Sequence, residues 1–212
     1  MISEASQQAH RSRIRAHLER ELGTVKNVFQ APSVDVLHVP SSDERPVHTL
    51  VTAGMSDAPM NTGGVANVPQ YLEVMMTLPR QWKLDGISDQ DPAYWPIRTL
   101  MNLARFPQQH DTSLKWGDVV PNGEPPVPYA SDTKLSAVIL APSLLVPKEF
   151  YALDSGDRHV EFYAAIPLYP EELALHREHG MKHVLTLLID NNINDLVDVK
   201  RRNVARKRFG FF

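Results

Sequence analysis

The stretch from His48 to Met60, His-Thr-Leu-Val-Thr-Ala-Gly-Met-Ser-Asp-Ala-Pro-Met, constrains the fold of this chain more than any other. Thr49, Val51 and Ala53 alternate with Leu50, Thr52 and Gly54, and the β-branched members favour a pleated strand. Gly54 reaches backbone angles closed to other residues, so the strand stops there and the chain enters a tight turn. Ser56-Asp57 on that turn suggests a nucleophile only superficially, because no Gly-x-Ser-x-Gly pattern surrounds it. There is also no phosphate-cradling glycine motif; Gly63-Gly64 alone signals flexibility.

Around this strand the pattern alternates strands and helices. A helix is expected over Ser3–Leu22, capped by Ser3 and closed by Gly23. Only Ile14, Leu18 and Leu22 are strongly apolar in it, so the helix reads as a surface cover. Short strands follow at Val25–Gln30 and Val34–Val39, then Val47–Ala53, a loop over Met55–Val68, and a strong strand at Tyr71–Leu78. A helix begins at Trp95-Pro96 with Ile97, Leu100, Met101 and Ala104 on one face, and Pro107 ends it. Four prolines make residues 112–133 mostly irregular, with a strand at Leu114–Val120. Strands at Ser136–Ala141, Phe150–Leu153 and His159–Ile166 precede a helix from Pro170 that Gly180 interrupts. No repeat or seam divides the chain. One α+β domain, a central sheet flanked by helices, accounts for the pattern.

The chain has 212 residues, is 42% hydrophobic and 22% charged, and contains no cysteine. Disulfides, thiolate metal sites and cysteine nucleophiles are therefore excluded, and a reducing, cytoplasmic location is expected. No apolar run approaches the ~18 residues of a membrane helix, and Met1–Arg20 lacks a signal-peptide core. Net charge is −3, unevenly spread: residues 198–212 carry +5, from Lys200, Arg201, Arg202, Arg206, Lys207 and Arg208 against Asp198, which leaves −8 on the remainder. The basic run is either a solvated tail or a contact for nucleic acid, and its closing Phe209-Gly210-Phe211-Phe212 is expected to pack back on the body.

Several residues invite a chemical role. His176, His179 and His183 share a face on an unbroken helix and form the best metal candidate, but Gly180 lies among them. His159 and Glu161 point to one side of a strand and read as a polar surface pair. Trp82, Trp95 and Trp116 read as core or core rim rather than a ligand cage. Met75 and Met76 face opposite sides of their strand, whereas Met55 and Met60 flank a turn and are divided between core edge and partner contact.

Four spaced segments resemble the suppressor of fused (SUFU) domain family: Thr49–Met60; Tyr71–Trp82, ending Leu78-Pro79-Arg80-Gln81-Trp82; Trp95-Pro96 through Leu103-Ala104-Arg105-Phe106-Pro107; and Leu168-Tyr169-Pro170-Glu171-Glu172 with His179-Gly180. Trp116-Gly117 and Pro121-Asn122-Gly123 between them are similar to bacterial members. The resemblance implies a SUFU-like domain with a mixed sheet over 25–193; the helical pattern before it sets off an N-terminal helix over 1–24, and the charge run after it a basic tail over 194–212. It implies protein binding and no catalytic residue, cofactor or metal. The family's animal namesake clamps an extended peptide with two domains, of which this chain matches one. Bacterial single-domain relatives resemble immunity proteins, antitoxins that neutralise a polymorphic toxin. The expected function is therefore stoichiometric binding of a protein partner, with Gly54, Met55, Ser56, Asp57 and Met60 as the contact region. The alternative is a nucleic-acid-associated or regulatory protein acting through Lys200–Arg208.

Overall fold

The computed structural model describes residues 3–206. Helix α1 (Glu4–Glu21) starts at Ser3, whose side chain accepts from the Ser6 amide. Its buried residues are His10, Ile14, His17 and Leu18, which lie on one face. The helix is therefore part of the core and not a surface cover. Two of its four interior positions are histidines, so an apolar count misses the stripe. Burial disfavours the charged imidazole and lowers the pKa of both rings.

Strands β1 (Asn27–Ala31) and β2 (Val34–Val39) form a hairpin across Pro32-Ser33, and β3 (Val47–Ala53) and β4 (Tyr71–Pro79) continue it antiparallel. Helix α2 (Trp95–His110) precedes β5 (Val119–Pro121), β6 (Ala137–Ala141), β7 (Ala152–Ser155), β8 (Arg158–Leu168) and helix α3 (Pro170–Asp190). The sheet runs β1-β2-β3-β4-β8-β6-β5, with β7 also on β8. β4 and β8 are parallel, Met75 opposite Ala164, and the other pairings are antiparallel, so the sheet is mixed.

Helices cover both faces. Ile14 and Leu18 of α1 and Leu173, Val184 and Leu188 of α3 share one core with Val51, Met75, Ile139 and Phe162. Trp95, Ile97 and Leu100 of α2 share the other with Leu50, Met76, Val138 and Leu140. Met75 and Met76 thus feed opposite sides of β4, as strand geometry requires.

Three expectations need correcting. α2 runs through Pro107 to His110 and stops where Asp111 turns left-handed at φ 48°. Proline removes one amide from the ladder, but its fixed φ suits a helix, and only the last turn remains beyond it. The strand expected over Leu114–Val120 shrinks to β5, because residues 115–118 form a turn. Residues 194–206 are not a free tail. The Val197 amide donates to the Thr77 carbonyl at 2.8 Å, Leu196 pairs with Thr77 beside β4, and Val197 is buried. By contrast, Gly180 breaks α3 as expected, with φ 78° and ψ 176°.

Candidate functional site

The turn from Gly54 to Met60 is wrapped around one carboxylate. Glu73 of β4 is 0% exposed. Its Oε1 accepts from the Gly54 amide at 3.0 Å, the Ser56 amide at 3.0 Å and the Ser56 hydroxyl at 2.6 Å. Its Oε2 meets the Thr52 hydroxyl, which also lies 2.9 Å from the donating Val74 amide. Threonine, glycine and serine in the motif are thereby explained by a residue 17 to 21 positions later. Burial raises the Glu73 pKa, against the hydrogen bonds from Ser56, Thr52 and Gly54.

A second ring of contacts fixes the turn from outside. Arg11 donates from Nε (2.9 Å) and Nη2 (2.6 Å) to Asp57 Oδ2, and from Nη2 to the Ser33 carbonyl at 2.9 Å. Arg158 Nη1 donates to the Ser56 carbonyl at 3.0 Å. A Cβ on Gly54 would stand 2.8 Å from both Arg11 Nη2 and the Ser33 carbonyl oxygen, and φ there is 130°. Gly54, Met55, Ser56, Asp57 and Met60 are all buried. The structure therefore places these side chains inside the fold and not on an outward-facing rim, because Glu73 and Arg11 draw the turn inward.

Ser56 and His10 lie 2.8 Å apart, as in a hydrolase, but the proton directions are wrong for one. With Glu73 ionised the Ser56 hydroxyl donates to it, which assigns His10 Nε2–H as donor to Ser56 and leaves His10 Nδ1 to accept from the Ser155 hydroxyl at 3.0 Å. In that tautomer the imidazole has no free lone pair toward the serine proton, and Ser56 is fully buried. This array is a buried brace joining α1, β4 and β7.

His48 and His176 also hold the fold. His48 Nε2–H donates to the Arg80 carbonyl at 3.0 Å, and its Nδ1 accepts from the Ser41 amide and from His38 Nε2–H. Burial, helped by His48, pushes the His38 pKa down to about 4. His176 Nε2 donates to the Gly117 carbonyl at 3.0 Å, while the His179 and His183 rings lean together across the Gly180 break. The three do not converge, and among the described residues no group of three or more His, Asp or Glu side chains could hold a metal. His159 pairs with Asp154, and Glu161 accepts from the Tyr163 hydroxyl, so these two face separate partners.

The basic run is partly neutralised from within. Arg201 contributes Nη1 (2.7 Å) and Nη2 (2.5 Å) to Glu172, and its Nη2 also reaches the Pro167 carbonyl. Arg206 donates to Glu171 at 2.9 Å, and Arg202 to Asn191. Lys200 is exposed, and Lys207 and Arg208 lie outside the described residues, as do Phe209–Phe212. The Glu171-Glu172 pair, readable as a helix N-terminus, doubles as the anchor of the chain's last described segment.

Of the tryptophans, Trp95 is core, stacked on Tyr129, and Trp82 is half-buried, its Nε1 donating to the Ala93 carbonyl. Trp116 stands apart at 52% exposed, not core or core rim. Its loop is held tightly. The Gly117 amide donates to Leu140 (2.8 Å), the Leu140 amide to Asp118 (3.0 Å) and the Lys115 amide to the Asp118 carboxylate (3.0 Å), and Met181 packs so close that Gly117 admits no Cβ.

These features sit on a recognisable scaffold. The family model described as suppressor of fused protein (SUFU) matches residues 30–202, and the chain belongs to that family. A Neisseria gonorrhoeae protein described as a SUFU homolog is 16% identical, with 94% of this chain and 99% of that chain aligned at TM-score 0.70. A chain of a Sufu–Fu complex crystal structure aligns at TM-score 0.64 and 16% identity, covering 92% of each chain. Drosophila Suppressor of Fused aligns at 0.56 and 16% identity over 81% of this chain and 42% of its own. At this identity the likeness is one of fold. No curated protein matches. Among the described residues, no helix is long and apolar enough to cross a membrane.

Proposed function

We propose that this protein is a stoichiometric protein-binding domain, an immunity protein that neutralises a toxin by covering its surface. One observation carries the reading: Trp116, half in water, is presented by a loop that hydrogen bonds from β6 and α3 hold in place. A large aromatic with only two side-chain torsions, carried on a backbone already held, loses little conformational entropy on burial, and tryptophan recurs at the energetic centres of interfaces. The interior Ser–His array is closed to substrate, which supports binding over chemistry. Family membership and a relative solved in complex with Fu support the same class. The mechanism is steric: the domain occupies the surface the toxin needs. With −8 outside residues 198–212, the body suits a basic toxin and steers the encounter.

The test is a tagged pull-down from host lysate in moderate salt with nuclease, followed by expression of the captured protein alone and with this chain. A one-to-one partner that arrests growth alone and is silenced by co-expression is the expected result. Trp116→Ala is expected to weaken that complex by roughly 2 kcal/mol, about thirtyfold. A partner that is harmless alone, or a complex indifferent to Trp116→Ala, overturns the reading.

A further inference from the structure

A pocket of about 460 Å3 lies between α1 and α2 at the signature turn, its polar lining drawn from Gly54 and Asp57 of the turn, Gln7 and Arg11 of α1, and Arg105 and Gln109 of α2. Two of its groups are left with unused capacity. Asp57 is 5% exposed; its Oδ2 takes both Arg11 bonds, while its buried Oδ1 has no donor. An unpaired buried carboxylate oxygen is a standing cost, and a donor supplied from the pocket would relieve it. Arg105, half-buried in the same lining, has no ion-pair partner among the described residues.

The charges of the pocket decide what fits. A cationic guest would meet two guanidinium groups, Arg11 and Arg105, and an anionic guest would meet the open oxygen of Asp57. A neutral group that carries an N–H donor beside a C=O acceptor serves both Asp57 and Arg105. We propose that this pocket binds a primary carboxamide, the side chain of a glutamine or asparagine carried on a partner polypeptide. Its N–H donates to Asp57 Oδ1 and its C=O accepts from Arg105. Gln7 and Gln109 at the rim, themselves both donors and acceptors, suit the same neutral guest. Gly54 keeps the floor low, because a side chain there would displace Arg11 from Asp57.

This site is separate from Trp116, and its test needs no toxin, so either can fail alone. The full chain, isotopically labelled, is titrated by NMR with Ac-Gly-Gln-Gly-NHMe, its Glu and Lys counterparts, and free glutamine. The glutamine peptide is expected to shift the Gly54 and Asp57 amides and saturate at millimolar concentration. Arg105→Ala, with an otherwise unchanged spectrum, is expected to raise its Kd about tenfold, the loss of one charge-assisted hydrogen bond. Equal binding of the Glu or Lys peptide, no saturation at all, or indifference to Arg105→Ala overturns the carboxamide assignment. Free glutamine binding as tightly as the peptide overturns the polypeptide source.

Discussion

Replacing Arg201 with methionine separates a structural strap from a nucleic-acid arm. The Arg201 side chain is 7% exposed and its partner Glu172 is 0% exposed. The substitution keeps most of the apolar stem but removes both guanidinium contacts to Glu172 and those to the Pro167 and Arg202 carbonyls. Glu172 retains only two backbone donors, Tyr169 N and Val204 N, both at 2.9 Å. Breaking one side of a buried pair costs about 3–5 kcal/mol. The positive end of α3 beside Glu172 offsets about 1 kcal/mol of that. The net expectation is a loss of about 3 kcal/mol, or a fall in Tm of roughly 6–12 °C for a chain of this size. Urea unfolding followed by tryptophan fluorescence measures it, with Arg202→Ala as an exposed control expected to stay within about 0.5 kcal/mol. Pairing Arg201→Met with Glu172→Gln should recover part of the loss, since the orphaned charge is gone. If Arg201→Met is as stable as the control, Arg201 does not pin the strap, and the basic run returns as a free contact for nucleic acid.

Two further outcomes follow from the interior. Glu73→Ala strands the Gly54 and Ser56 amides and should cost more than about 3 kcal/mol, whereas Glu73→Gln, whose amide can donate to Thr52, should cost less than half as much by the same unfolding assay; equal losses would refute the cage. For His38 the folded pKa of about 4 lies below the ordinary 6.5. Above pH 6.5 both states are neutral and stability is full. As pH falls toward 4, the unfolded chain takes a proton that the folded one refuses, and about 3 kcal/mol is lost. His10 and His17, also lowered, act in the same direction. Unfolding free energies at pH 7.5 and 4.5 should show a slope that flattens in His38→Asn; an unchanged slope sinks the assignment.

What the sequence discloses and what it hides divide along physical lines. β3 and β4 are legible because their signal is local: β-branched alternation bounded by Gly54 at one end and Pro79 at the other. The break at Gly180 is legible because glycine alone adopts that backbone cheaply. The interior role of α1 is hidden because two of its four buried positions are histidines, His10 and His17, which an apolar count passes over. The fate of the tail is hidden because Arg201 answers to a glutamate 29 residues earlier. The turn's inward pull is half-hidden: a lone Glu73 inside Leu72–Met76, an otherwise apolar strand, was the available signal. Trp116 is the converse case, an apolar residue that a rigid polar loop keeps in water.

The parallel pairing of β4 with β8 has a kinetic consequence. β1 to β4 form a meander of neighbours, which can assemble as soon as those residues exist, but β4's second neighbour is almost ninety residues further on, at Met75 opposite Ala164. Until β8 arrives, the outer edge of β4 is an unpaired apolar ribbon, Leu72, Val74, Met75 and Met76. Joining ends so distant in sequence is slow. The docking of β8 between two half-sheets is therefore expected to limit the rate at which this domain forms, and the waiting β4 edge is where a crowded solution of nascent chains would first self-associate.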